Sequence, residues 1–229
     1  MDEMVCDRID AEELVAARSF VYTLFQALFG SEPEEAELQV ALNGSLAEAA
    51  QVFAEALEQQ VPDDGFGLKS LASTLGEMAD DLGQAQSEYA RFFEGPASLP
   101  VKPWECAFLD ETAPLISART LAIRDTYRDQ GFLPALYPRV ADDHIALECA
   151  FMASLSKRMG SAGSRADDSF VEAAQASEDF LNNHLSRWLP AYADAVGACP
   201  EGNYYGRIAR SAAMFVDFDR RLLAQMLTA

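Results

Sequence analysis

The 229 residues carry 17 Lys and Arg against 37 Asp and Glu, a formal net charge of −20, and half of them are hydrophobic. That balance repels phosphate backbones and sets nucleic acid aside as a partner. It favours a cationic ligand or peptide by long-range attraction, although an acidic surface also serves solubility by itself. No stretch approaches the roughly 18 apolar residues that span a bilayer, and the acidic start MDEMVCDRIDAEELVAARSF is unlike a secretory signal. The expectation is therefore a cytoplasmic chain with no membrane insertion. Cys6, Cys106, Cys149 and Cys199 stand more than forty residues apart without a CxxC pair, which argues against a disulfide scaffold and a zinc site.

Helical periodicity runs through almost the whole chain. Leu14, Ala17, Phe20, Val21, Leu24, Phe25 and Leu28 recur at spacings of three and four and predict a helix over 10–29, with Gly30 as its stop. Shorter helices follow at about 33–42, 45–60, 67–78 and 81–94, separated by NGS, VPDDGFG and a break near Gly83. Ser31 followed by Glu34, with Pro33 between them, has the spacing of a capping box for the second of these helices. The stretch YARFFEGPASLPVKPWECAF, Tyr89 to Phe108, then interrupts the pattern with Pro96, Pro100 and Pro103, so it is a shaped non-helical loop. Helices resume at about 109–129 and 142–159. The Gly- and Ser-rich link 160–169 follows, then helices at 167–195, with a break near Pro190, and at 203–227. No strand-length alternation and no solenoid repeat occurs. The prediction is an all-α, single globular bundle of about nine to ten helices occupying 1–229 as one domain.

Three stretches carry candidate chemistry. In RVADDHIALECAFMASL, Asp142 or Asp143 suits the N-cap of the new helix, and His144 and Glu148 stand at i and i+4 above the apolar Phe151 and Leu155. That pair has three functional readings: two ligands of a metal, a general acid and base in a hydrolase, or, with Asp142 and Asp143, acceptors for a basic group on a partner. The first lacks further histidine ligands and the second lacks a nucleophile motif. The third suits arginine, whose planar fork matches carboxylates. Trp104 is either a preorganised contact on its proline-stiffened loop, with Glu105 adding a charge beside it, or a plug anchoring that loop in the core. In EDFLNNHLSRWLPAYADAV, Phe180, His184, Trp188 and Tyr192 fall at spacings of four. They read as a core stripe in which His184 has a satisfied hydrogen bond.

Taken in order, YARFFEGP, PWE, DDHIALECAFM and FLNNHLSRWLP resemble the TorD/DmsD/NarJ family of redox-enzyme maturation chaperones, over roughly Ser19 to Phe218. The resemblance implies an all-helical cytoplasmic chaperone without catalytic activity. Such a chaperone binds the twin-arginine signal peptide, and the body, of a molybdenum-cofactor oxidoreductase and holds back export until the cofactor is loaded. It implies a leader-binding role for Gly95, Pro96, Pro103, Trp104 and Glu105 with Phe108, and for Asp142, Asp143, His144 and Glu148. The expectation is no metal and no cofactor of its own, and the link 160–169 permits either a monomer or a helix-swapped dimer. The rival readings are a general helical scaffold and a metal-dependent hydrolase using His144 and Glu148. The chain departs from the family pattern at Lys102, Cys106, Phe108, Val140, Ala141 and Cys149. Of these, Lys102 sets a positive charge beside the proposed site for a cationic peptide.

Overall fold

The computed structural model describes residues 11–94, 98–110, 118–134, 140–162, 164, 166–200 and 203–228. Eleven α-helices follow in order among these residues: α1 (Ala11–Gly30), α2 (Glu35–Leu42), α3 (Ser45–Ala56), α4 (Leu68–Asp80), α5 (Leu82–Tyr89), α6 (Cys106–Leu109), α7 (Ala118–Asp129), α8 (Ile145–Gly160), α9 (Asp168–Asn183), α10 (Leu185–Gly197) and α11 (Asn203–Thr228). A π-helical turn, Ala90–Glu94, continues α5. No strand occurs among the described residues, and the all-α expectation holds.

The organising element is α8. Ile145, Ala146, Leu147, Cys149, Phe151, Met152, Leu155 and Met159 are all buried, so the helix is apolar around most of its circumference and belongs in the interior. α1 lies along one side of it and α9 along another. The three- and four-residue spacing of α1 delivers Leu14, Val21, Tyr22, Phe25, Leu28 and Phe29 to the interior, where Tyr22 and Phe25 meet Phe215 of α11 and Phe29 meets Tyr192 of α10. On the far side α10 and α11 pack closely where Gly206 meets Gly197; a Cβ on Gly206 would lie 2.9 Å from the Gly197 Cα, so the two backbones touch with no side chain between them. One cluster of buried apolar side chains draws on helices from α1 to α11.

Several local expectations are corrected. Ser31 does not cap α2: its Oγ donates to the Ala27 carbonyl at the end of α1, and α2 starts only after Glu34. Of the predicted helix over 109–129 the described helical part is α7, which begins at Ala118, and a separate single turn, α6, forms at Cys106–Leu109 within the stretch read as a loop. The long helix over 167–195 breaks at His184, whose backbone sits at φ −126° and ψ −97°, while Pro190 lies inside α10. These divisions raise the helix number above the nine or ten expected. The π turn after α5 buries Phe92 and stacks Phe93 on Tyr89, 5.1 Å between ring centroids. Glu88, just before it, accepts the Tyr205 N–H at 2.7 Å and so places a carboxylate at the positive end of α11.

Charge is also used deep inside. Arg18 of α1 and Asp219 of α11 are both fully buried and paired through Nε–Oδ1 at 2.6 Å and Nη2–Oδ2 at 2.9 Å. Tyr22 donates to the same carboxylate at 2.7 Å, and Arg18 Nη1 reaches Ser156 of α8 at 3.2 Å. Three helices are thereby held in register by one satisfied network. A buried pair is costly to break singly because the survivor stays desolvated without a partner. Arg18→Met or Asp219→Ala is expected to lower stability by about 3–5 kcal/mol, whereas Arg18→Met combined with Asp219→Leu recovers part of that loss. Urea denaturation of the three variants checks this.

Candidate functional site

The two motif segments, PWE and DDH, are separated by nearly forty residues and meet directly. Ile145 N–H donates to the Pro103 carbonyl at 3.0 Å, and Glu105 N–H donates to the Asp143 carbonyl at 2.9 Å, forming an isolated antiparallel bridge between Trp104 and His144. This pairing sets the Asp143 side chain beside the start of α6. Its Oδ2 accepts the Cys106 N–H at 3.0 Å at the start of α6. The cap of α8 is His144 rather than Asp142 or Asp143, with Nδ1 accepting the Ala146 N–H at 3.2 Å.

The acidic residues singled out in the sequence all lie in the interior: Glu105, Asp143 and Glu148 have no relative exposure and Asp142 has 1%. Each has an internal partner. Glu105 accepts from Arg119 Nη1 at 2.9 Å, and its other oxygen lies 2.9 Å from His184 Nδ1. Asp142 accepts from Arg124 Nε at 2.8 Å, while the Tyr127 hydroxyl donates to the Asp142 carbonyl at 2.9 Å. Glu148 Oε2 accepts the Trp188 indole N–H at 3.1 Å. Three enclosed atoms, Trp104 Nε1, Asp143 Oδ1 and Glu148 Oε1, have no hydrogen-bond partner among the described residues.

Burial governs the ionisation of the group. Desolvation, reinforced by the charge of Glu105, pushes Glu148 well above the usual carboxylate range, and burial also raises Asp143. Burial lowers His144 to about 4, so its imidazole is neutral. At His144 desolvation outweighs the raising effect expected from a neighbouring carboxylate. His144 sits instead among aromatic rings, edge-on to Trp104 at 5.8 Å and Phe93 at 6.3 Å. The thiol of Cys106 is likewise pushed up to about 12 by burial.

Around this core lie the apolar candidates. Pro103 is buried, Trp104 and Phe108 are partly exposed, and Phe108 rests on Trp188 and Tyr192 at 5.7 and 5.9 Å. Phe151 is fully buried against Tyr127 and Phe180. Gly95 and Pro96 lie outside the described residues. An open cavity of about 460 Å³ borders the site, lined by Leu109, Asp110, Ala118, Arg119, Ala122 and His184. Arg119 and His184 are the two polar partners of Glu105, so the cavity reaches the acidic group through them. Of these two, His184 was legible as a polar residue within an aromatic stripe, and its hydrogen bond to Glu105 meets the expectation of a satisfied histidine. Arg119 gives no sequence signal.

The buried imidazole sets a test. An unfolded histidine titrates at about 6.5 and His144 at about 4, so between these values the unfolded chain binds more protons and this group's contribution to stability rises with pH. Replacement by Asn keeps a good helix cap and removes the titration. His144→Asn is expected to flatten the stability profile across that window relative to the parent, measured by urea denaturation at stepped pH. A histidine resonance absent from the variant should titrate near pH 4.

Known proteins resemble this chain in sequence and in fold. The nitrate reductase delta subunit family model matches residues 37–194, which include both motif segments, the cavity-lining residues and the α9–α10 junction. The chaperone protein TorD of Vibrio cholerae is 31% identical over 86 residues, and the match spans 38% of this chain and 38% of that protein. The Tat proofreading chaperone DmsD of Salmonella typhi is 26% identical over 141 residues, 60% of each chain. A redox enzyme maturation protein from Archaeoglobus fulgidus shares the fold with a TM-score of 0.54 at 20% identity, covering 95% of this chain and 99% of its own. The family model thus covers well over half of the residues, and the chain belongs to the nitrate reductase delta subunit family.

Proposed function

We propose that the chain is a cytoplasmic redox-enzyme maturation chaperone, working as a single domain. It binds the twin-arginine signal peptide of a molybdenum-cofactor oxidoreductase, engages the body of that enzyme and assists its cofactor loading before export. Family membership and the relatives named as chaperones support the class. The observation that carries the finer reading is the joining of PWE to DDH beside an open cavity, which gathers Glu105, Asp142, Asp143 and Glu148 into one acidic unit next to Trp104 and Phe108.

A twin-arginine leader has a basic start and then an apolar run. The acidic unit complements the first part. The second part finds Leu109, Ala118 and Ala122 in the cavity wall, with Leu121, 45% exposed, on the same helix as the two alanines. Pro103 and His144 hold the bridge in place, Trp104 and Phe108 supply apolar contact, and the net charge of −20 draws a cationic segment in. With His144 neutral and Cys106 protonated near neutral pH, the unit holds a ligand rather than attacking one. The link between α8 and α9 suits either a monomer or a dimer formed by helix exchange.

Burying an apolar segment of the leader offsets the cost of ordering it, so binding is reversible, with a Kd on the order of micromolar. Titration calorimetry with synthetic leaders of molybdoenzymes encoded beside this gene is the test. Changing both arginines to alanine, or deleting the apolar run, is expected to weaken binding at least about tenfold. Trp104→Ala is expected to weaken it with an unchanged Tm. If no such leader binds, or affinity ignores its arginines and apolar run, the reading is wrong.

A further inference from the structure

Arg119 and Arg124 both belong to α7 and both face inward to a buried acid. The Arg119 side chain is 32% exposed while Glu105 is fully enclosed, and the Arg124 side chain is 24% exposed over an Asp142 side chain at 2%. On each pair the guanidinium thus stands between solvent and carboxylate. A peptide arginine entering the cavity meets an acid already held by the same chemical group. The two positions differ in one respect: Arg119 lines the cavity, whereas Arg124 does not.

We propose, on the basis of the leader-binding reading above, that Arg119 is an internal competitor for the leader's arginine. In the free protein it holds Glu105 in a desolvated, paired state. When a leader enters the cavity, its guanidinium replaces Arg119 on Glu105 and Arg119 swings into solvent. Three features make the exchange feasible. A buried carboxylate left without a donor is strongly unfavourable, so Glu105 needs an occupant before the leader arrives. The incoming and outgoing groups offer the same planar fork of donors, so the exchange conserves the charge-assisted hydrogen bond. Arg119 is the second residue of α7, and Ile123 and Tyr127 anchor that helix in the core, so its side chain can leave without moving the helix. His184 stays on the other oxygen of Glu105 throughout and keeps the carboxylate oriented.

The exchange makes Arg119 a determinant of affinity and specificity. An occupant that must be displaced weakens a leader whose arginine takes its place, whereas a leader without arginine has no group to set on Glu105 and leaves Arg119 where it is. The test is calorimetric titration of the leader that binds the wild-type protein into wild type, Arg119→Ala and Arg119→Gln, with the same leader carrying alanine at both arginines as the second probe. The expected result is tightening of about tenfold for Arg119→Ala with the native leader. Arg119→Gln, which keeps a neutral donor, should fall between, and the arginine-free leader should show no gain in either variant. Equal affinity of wild type and both variants for the native leader overturns the exchange and leaves the leader-binding reading intact, as does weaker binding by the variants, which would make Arg119 a direct contact. Equal tightening toward both leaders also overturns it, since that marks a general loosening of the cavity. Absence of binding to wild type and variants alike overturns both proposals.

Discussion

Glu105 has no access to solvent, and a carboxylate in that position must be supplied with donors by the chain itself. Much of the surrounding architecture follows from that requirement. Arg119 reaches Glu105 from the first turn of α7, and His184 reaches it from the junction of α9 and α10. The backbone of Glu105 is fixed in turn by its bond to the Asp143 carbonyl. Segments that share no sequence proximity thereby converge on one side chain. Asp142 extends the pattern by drawing in Arg124 and Tyr127, and Glu148 does so through Trp188. Among the described residues, the acids join the PWE and DDH segments, α7, α8 and the α9–α10 region into one polar interior.

Arg18 and Asp219 obey the same rule with a different result. There the pair is fully enclosed, with Tyr22 and Ser156 adding hydrogen bonds, and both partners sit on long helices. Nothing about it opens to solvent. At Glu105 one partner is a third exposed and lines a cavity. Two buried ion pairs of similar chemistry therefore divide into one that sets helix register and one whose cationic half a solute can reach.

The helices were largely legible in the sequence because an apolar stripe that must face a core leaves its period in the residues. Leu14, Val21, Phe25 and Leu28 announce α1 in this way, and all four are buried. The breaks were less legible. Pro190 draws attention as a helix breaker, yet α10 runs through it with the proline exposed, forgoing one backbone hydrogen bond. The actual break at His184 bears no breaker residue; its position beside Glu105 is a tertiary demand. Ser31 and Glu34 satisfy the spacing of a capping box, but the hydroxyl finds the nearer carbonyl of Ala27 first. Local spacing proposes such bonds, and distant geometry chooses among them.

The same distinction separates what was visible at the site from what was not. PWE and DDH stood out as motifs, and their residues do meet. Their polarity marked them as acceptors for a basic group on a partner, because composition records a charge but not the arginine of the same chain that covers it. Arg119 and Arg124 fall on a helix rich in charge, where nothing marks two arginines as inward-facing. The burial of the acids has a physical consequence for binding. An exposed acidic patch would attract any cation and be weakened by salt, whereas an enclosed carboxylate discriminates by geometry, admitting only a donor that fits the space its current partner leaves. Arginine fits a site already shaped by arginine. Lysine brings a compact, strongly hydrated charge that costs more to desolvate beside an enclosed carboxylate than a guanidinium does. If the acidic interior receives a peptide, its preference for arginine over lysine is thus built into the packing that keeps Glu105 dry.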